Sequence, residues 1–104
     1  MNTIEYIDTA KTRLGVDSDY ALAKALKITP STIYGYRAGR SHMDDETALK
    51  ISKVLGIHAG FVLLDMHRER AKTPQERSAW QEIFEGFHAL LLHAKSVRSI
   101  ALPR

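Results

Sequence analysis

Residues 19–40 constrain the fold more than any other part of the sequence, because their helix signals lie close together. Ser18 is a candidate N-cap for a first short helix, and Thr29 followed by Pro30 is a start signal for a second one. Gly39 then provides a stop for that second helix. The spacing predicts two helices of about two turns each, joined by a short turn.

The remainder of the chain also carries helix signals, and period-two alternation typical of strands is absent. A capping box with proline at the first helical position predicts a C-terminal helix that starts at Thr73. We expect an all-α fold: a five-helix domain over residues 1–66, an amphipathic helix over 73–94 and a flexible tail over 95–104. The polar end of the fifth helix, residues 66–72, is expected to face solvent. The predicted helices span about residues 3–14, 19–26, 30–37, 44–55, 58–72 and 73–94.

Several classes of function are excluded or disfavoured by composition. The chain contains no cysteine, so disulfides and thiolate chemistry are excluded. No nucleophile motif, acid/base cluster or glycine-rich phosphate loop is present, and we expect no enzymatic activity, cofactor or small-molecule ligand. We expect no metal either, because metal-site spacing is absent from the histidines, which are His42, His58, His67, His88 and His93.

Neither a membrane span nor a secretory signal is predicted. No apolar run approaches the roughly 20 residues that a span requires, and the N-terminus lacks a basic start followed by an apolar stretch. We therefore expect no membrane partner and a cytoplasmic location.

Charge is distributed unevenly along the chain. The net charge is only +3, yet residues 20–43 contain Lys24, Lys27, Arg37 and Arg40 and no acid. Such a segment is either the footprint of a polyanionic partner or a solvated basic face, and charge alone does not decide between them.

The apolar residues of the two short helices suit a steep crossing. Ala23 is small enough for a close approach, and contacts on both sides of the turn come from Leu22, Leu26, Ile28 and Ile33. The pattern Leu22-Ala23-x-x-Leu26, Ile28-Thr29, Ile33-x-x-Tyr36 and Gly39 resembles the Cro/repressor-like helix-turn-helix family of phage and bacterial regulators, over about residues 3–66. The C-terminal part, with Arg68-Glu69-Arg70-Ala71-Lys72 followed by the Thr73-Pro74 helix start and Trp80, looks like short phage-associated proteins that join such a domain to a small helical extension.

The chain departs from the family where relatives usually carry a turn glycine. Lys27 stands there, and we expect it to adopt the left-handed backbone at a cost of about 1 kcal/mol. Pro30 replaces a position that is often glutamine, and Gly35 replaces a position that often carries a longer polar side chain. The fold is therefore better defined than the bases that are read.

The resemblance implies that the second short helix enters the major groove of double-stranded DNA. Carried over by position, the base-reading residues are Pro30, Ser31, Thr32, Tyr34 and Gly35. The phosphate-contacting residues are Ser18, Tyr20, Lys27, Arg37, Arg40, Ser41 and His42. Tyr34 either reads DNA or covers neighbouring side chains, and Lys24 and Lys27 either touch phosphate or are solvated. Tyr36 is expected in the core, because its spacing from Ile33 matches a buried stripe.

The C-terminal helix carries a broad apolar stripe that either packs on the chain's own core or forms a dimer surface. We favour a homodimer interface formed by Trp80, Ile83, Phe84, Phe87 and Leu91. The resemblance then implies a phage or prophage-type transcriptional repressor in the bacterial cytoplasm or nucleoid, bound as a dimer to a palindromic DNA operator. The alternative is an antitoxin-like interaction module whose C-terminal helix binds a partner protein.

Overall fold

A computed structural model describes the backbone of residues 1–101 and the side chains of residues 1–94. Within this part of the chain the secondary structure is helical, which confirms the predicted all-α fold. The helices are α1 (Thr3–Leu14), α2 (Asp19–Leu26), α3 (Pro30–Arg37), α4 (Asp45–Leu55), α5 (Ala59–Arg70) and α6 (Pro74–Ala101). None of them is long and apolar enough to cross a membrane.

One predicted boundary differs from the structure. Helix α6 continues to Ala101, beyond the end predicted at residue 94. The flexibility expected of residues 95–104 stays a prediction, because their side chains and residues 102–104 lie outside the described part of the chain.

Local capping explains where the helices begin. The side chains of Asn2, Ser18, Thr29 and Asp44 each accept a hydrogen bond from a backbone N–H in the first turn of the helix that follows. These bonds satisfy donors that a helix start otherwise leaves without partners. The turn between α2 and α3 is made by Lys27, whose φ of 59° confirms the left-handed conformation predicted for it.

The core lies where α1 to α5 meet. Its fully buried side chains recur at three- and four-residue spacing along the helices, as an inward stripe requires. They include Ile7, Leu22, Ala23, Ile33, Ala48, Ile51, Val62 and Met66, and the loop before α4 adds Met43. Tyr36 is 5% exposed, so its predicted place in the core is confirmed.

The prediction that residues 66–72 face solvent is wrong at the start of that range. Met66 is completely buried, because it lies one helical turn after Val62 and continues the inward face of α5. The residues from His67 to Ala71 are half-buried, while Lys72 is exposed.

Helix α6 packs antiparallel on α5 through aromatic side chains. The ring of Phe61 meets those of Phe84 and Phe87 edge to face, with centroids 5.9 and 5.3 Å apart. At the other end of α5, His67 stacks on Trp80 at 4.5 Å. The helices approach closely at Gly60, where a Cβ atom would lie 2.4 Å from the ring of Phe87.

These contacts correct the dimer interface expected from the sequence. The rings of Trp80, Phe84 and Phe87 pack on α5 of the same chain, so they are not an open surface for a second copy. Leu91 is half-buried, and of the five predicted residues only Ile83 is exposed, at 49%. An amphipathic stripe predicts that a helix face becomes buried but does not specify which helix covers it.

A buried carboxylate connects α5 to its neighbours. Asp65 is 3% exposed and accepts hydrogen bonds from the hydroxyl of Tyr6 and the guanidinium of Arg68. Arg68 also bonds Gln81 of α6, and its guanidinium lies 5.0 Å from the ring centre of Phe84. Burial, together with the hydrogen bond to Asp65, raises the pKa of the Tyr6 hydroxyl above its ordinary value.

Candidate nucleic-acid interface

Helices α2 and α3 pack across the turn through buried apolar side chains. Ala23, Leu26 and Ile33 are at most 3% exposed. Ile28 lies half-buried in the turn, and its backbone N–H donates to the carbonyl of Ala23 at 3.0 Å. Residues 19–37 therefore form two short packed helices joined by a tight turn, as the spacing of caps and breakers predicted.

An ion-pair clamp holds the end of α3 against α1 and α2. Arg37 Nε and Nη2 lie 3.0 Å from the two carboxylate oxygens of Asp19, and Nη2 lies 2.7 Å from Asp8 Oδ1. Lys11 Nζ approaches Asp19 at 3.3 Å. The hydrogen bonds to Asp19 and Asp8 raise the pKa of Arg37 above its usual range, while the Arg37 bond lowers the pKa of Asp19.

This clamp is at odds with the phosphate contact predicted for Arg37. Its guanidinium faces two carboxylates, so its charge is compensated inside the protein rather than displayed toward a polyanion. The acids responsible come from other helices, and charge segregation along the sequence does not reveal them.

The outer face of α3 contains most of the residues predicted to read bases. Pro30 and Ser31 are exposed, Tyr34 is 64% exposed and Thr32 is half-buried. Gly35 is different: it is buried, and a Cβ atom built on it would lie 3.0 Å from Ser41 Oγ. The predicted outward placement of Gly35 is therefore wrong, because the loop after α3 folds back over it.

Three hydroxyl groups cluster at the start of α3. Thr29 Oγ1 lies 3.1 Å from Ser31 Oγ and 2.8 Å from Thr32 Oγ1, and it also accepts from the backbone N–H of Thr32 at 3.3 Å. Hydroxyl groups rotate and both donate and accept, so Ser31 keeps hydrogen-bonding capacity for an external group.

The loop from Ala38 to Asp44 begins with a left-handed Gly39 and presents Arg40 beside α3. The backbone N–H of Arg40 donates to the carbonyl of Gly35 at 2.9 Å. Its guanidinium carbon lies 4.9 Å from the ring centre of Tyr34, within the range of a cation–π contact. Arg40 and Ser41 are exposed, as their predicted role in phosphate contact requires.

The far end of the same loop is fixed to the core, a feature missed in the sequence. Met43 is completely buried, its N–H donates to Thr3 Oγ1 at 3.2 Å, and its carbonyl accepts from Arg70 Nη1 at 3.1 Å. His42 Nδ1 lies 3.4 Å from Glu69 Oε2, so this predicted phosphate ligand has a carboxylate neighbour within the protein. An isolated methionine among polar residues was the only available signal of this anchor.

The other predicted phosphate contacts lie at the two ends of α2: Ser18 and Tyr20 at its start, and Lys27 directly after its end. Ser18 Oγ accepts from the N–H of Ala21 at 3.0 Å, so this hydroxyl already acts as a cap. Tyr20 is 60% exposed, with Lys24 Nζ 5.4 Å from its ring centre. Lys27 is exposed, and its carbonyl lies 3.4 Å from Lys50 Nζ.

Fold and surface together define a helix-turn-helix protein, and comparison with known proteins agrees. The Helix-turn-helix family profile matches residues 18–62. The chain is also 34% identical over 85 residues to the Uncharacterized protein Gp-c of Pseudoalteromonas phage PM2, covering 77% of this chain and 91% of that protein. No solved structure matches at a significant level. The chain thus belongs to the Cro/C1-type helix-turn-helix family of DNA-binding regulators and has a phage homologue.

Proposed function

We propose that this protein is a sequence-specific repressor that binds a palindromic double-stranded DNA operator as a dimer. The observation that carries the proposal is the exposed pair formed by Tyr34 on α3 and Arg40 in the following loop, with the guanidinium 4.9 Å from the ring. This pair supports the proposal because a cation and an amphipathic side chain lie together on the exposed side of α3, the helix that enters the major groove in this family.

The exposed and half-buried residues on the outer face of α3 supply modest base readout. Ser31 presents a hydroxyl that donates to or accepts from a base edge. Carbons of Pro30 and Thr32 provide apolar contact for a thymine methyl group, and Tyr34, which is 64% exposed, reaches a base or a backbone phosphate. Gly35 no longer belongs to this set, because Ser41 covers it.

Phosphate contacts are proposed on both sides of the base-reading face. Arg40, Ser41 and Lys27 are exposed and flank α3, and Tyr20 stands at the start of α2. The N-terminal backbone of α2 also favours an anionic oxygen, because its first N–H groups point outward from the helix end. These contacts would set affinity and orientation, while α3 sets sequence preference.

Electrophoretic mobility shift assays at several salt concentrations test this proposal. The probes are the DNA upstream of the protein's own gene and a scrambled duplex of the same length and composition. We expect the upstream fragment to bind roughly 1,000-fold more tightly than the scrambled duplex, within the range of specific regulators. Equal affinity for both duplexes at every salt concentration would contradict sequence-specific binding.

Repression itself is tested with a reporter gene under the upstream promoter. Expression of the wild-type chain should lower reporter output, whereas the Arg40→Ala variant should lower it less. Footprinting should show two protected half-sites whose centres are about 34 to 36 Å apart, one turn of DNA. A single protected half-site would contradict the dimer.

A further inference from the structure

Helix α6 carries two parallel rows of small or apolar residues, and the aromatic side chains of one row pack on α5. The inner row, Trp80, Phe84, Phe87 and Leu91, is half-buried. A second row is formed by the residues that directly precede these four in the sequence. We call this row the outer seam, and its residues are Ala79, Ile83, Gly86 and Leu90. The outer seam is exposed throughout, with Ile83 at 49% and Leu90 at 69%.

The alternating four- and three-residue steps of the outer seam match the spacing by which helices pair in coiled coils. Gly86 stands between its two large side chains, and a Cβ built there meets no atom within 4 Å. The fold of one chain therefore gives no reason for glycine at this position, although glycine in a helix interior is less favourable than alanine. A missing side chain would let another helix approach closely.

We infer that the outer seam is the contact for a second copy of this chain, with the two α6 helices antiparallel. The inference rests on the proposed function, since it names the contact that makes the operator-binding dimer. Antiparallel packing places Ile83 of one protomer beside Leu90 of its partner, and the reverse, around paired Gly86 positions. A two-fold axis requires this reciprocity.

Charge along α6 selects the antiparallel direction. Before Gly86 its three acids, Glu76, Glu82 and Glu85, outnumber one base, Arg77, whereas residues 87–101 contain Lys95 and Arg98 and no acid. An antiparallel pair sets the acidic half of each helix beside the basic half of the other. A parallel pair would set like charges side by side, which is unfavourable.

The length of α6 also suits a partner of the same kind. The helix has 28 residues, or about 42 Å, and its aromatic contacts with α5 reach from Trp80 to His88. The helix continues to Ala101 past this region. Contact along the full length of α6 would bury more surface than contact along its first half alone, and stable interfaces bury roughly 800 Å² per partner.

Sedimentation equilibrium with a matched pair of variants tests the contact. Leu90→Asp buries a charge in the outer seam and should weaken dimerisation by about 100-fold or more. Leu92→Asp makes the same substitution at a residue that is 57% exposed but lies about 200° further around the helix, so the dimer should persist. Circular dichroism checks that both variants are folded. A monomeric wild type, or equal losses in both variants, would overturn the inference.

Direction is tested by single cysteines, because the natural chain has none. Gly86→Cys should form a disulfide between protomers under mild oxidation, since an antiparallel pair brings the two copies of this position together. Ala79→Cys should not, because its copies would stand about 20 Å apart and a disulfide needs Cα atoms within about 7 Å. Crosslinking of both variants, or of neither, would contradict the antiparallel seam.

Mobility shifts with the same variants separate this inference from the proposed function. The folded Leu90→Asp monomer should keep salt-dependent binding to a single half-site and lose most of its affinity for the full operator. If the wild type were a monomer and still preferred its operator, the dimer contact through the outer seam would be disproved, whereas sequence-specific binding would stand. If the protein formed the Gly86→Cys crosslink but showed no preference for any DNA sequence, the dimer contact would be supported and the proposed function would be disproved.

Discussion

The guanidinium of Arg37 donates two hydrogen bonds of 3.0 Å to the carboxylate of Asp19, and these bonds connect the last turn of α3 to the first turn of α2. Asp8 of α1 joins the same guanidinium at 2.7 Å. The angle between the two helices of the DNA-binding unit is thus held by charge as well as by apolar packing. Arg40, three residues later, is exposed beside Tyr34 instead. Two arginines that look alike in the sequence therefore have separable roles.

Comparison of Arg37→Ala with Arg40→Ala should separate stability from DNA binding. Loss of Arg37 leaves Asp8 and Asp19 close together without their shared cation, and the free energy of unfolding should fall by about 1 to 3 kcal/mol. Loss of Arg40 should change the free energy of unfolding by no more than about 0.5 kcal/mol, because this side chain is exposed. Urea denaturation followed by circular dichroism measures both. Equal stability of the two variants would show that the clamp adds nothing.

Arg40→Ala should weaken binding to operator and scrambled DNA by similar factors. Removing one phosphate contact should also reduce the slope of log affinity against log salt by about 0.9. Fluorescence anisotropy between low and moderate salt provides the slope. An effect confined to the operator, with an unchanged slope, would instead make Arg40 a base-reading residue.

Acid should weaken the clamp. Hydrogen bonding to Arg37 lowers the pKa of Asp19 in the folded protein, so the carboxylate contributes stability above its ordinary pKa of about 3.9 and loses it as pH falls through the lower folded value. The wild type should therefore lose stability below about pH 4. Asp19 is 37% exposed, so salt should reduce the effect. As pH is lowered from 6, the urea midpoint of Arg37→Met should fall less steeply than that of the wild type. Parallel profiles would show that the pairing of Asp19 with Arg37 does not cause the loss of stability in acid.

Helix starts and the identity of the family were accessible from sequence because their signals are local. Ser18 and Thr29 cap helices within three residues of themselves, and the Lys27 turn follows from the spacing between them. Periodicity also separated buried Tyr36 from exposed Tyr34. Each of these features depends on neighbours within one or two helical turns.

Features that depend on distant partners were not accessible. Asp8 and Arg37 are far apart in the sequence and meet only when α1 packs on α3. The sequence predicted that Gly35 faces outward, but in the structure the loop that carries Ser41 covers it. The stripe containing Phe84 predicted burial correctly, but only the fold shows that Phe61 of the same chain covers it.

Gly60→Ala should loosen α6 from α5. The added methyl group would occupy space taken by the ring of Phe87, at 2.4 Å, and overpacking of this kind destabilises by about 1 to 3 kcal/mol. Trp80 is the single tryptophan and stacks on His67, so its fluorescence should report the change. Adding Phe87→Leu should relieve the clash. A double variant less stable than the sum of its single changes would contradict this explanation.

Tyr34 and Arg40 should act on DNA as a coupled pair. If the ring holds the guanidinium in place, Tyr34→Ala weakens DNA binding partly through Arg40, and the double variant loses less than the sum of the two single losses. The expected coupling is about 0.5 to 1 kcal/mol, as for exposed cation–π pairs. Tyr34→Phe is the matched control, since it keeps the ring face and removes only the hydroxyl. Strictly additive losses in operator affinity, measured by anisotropy at one salt concentration, would mean that the two side chains contact DNA independently.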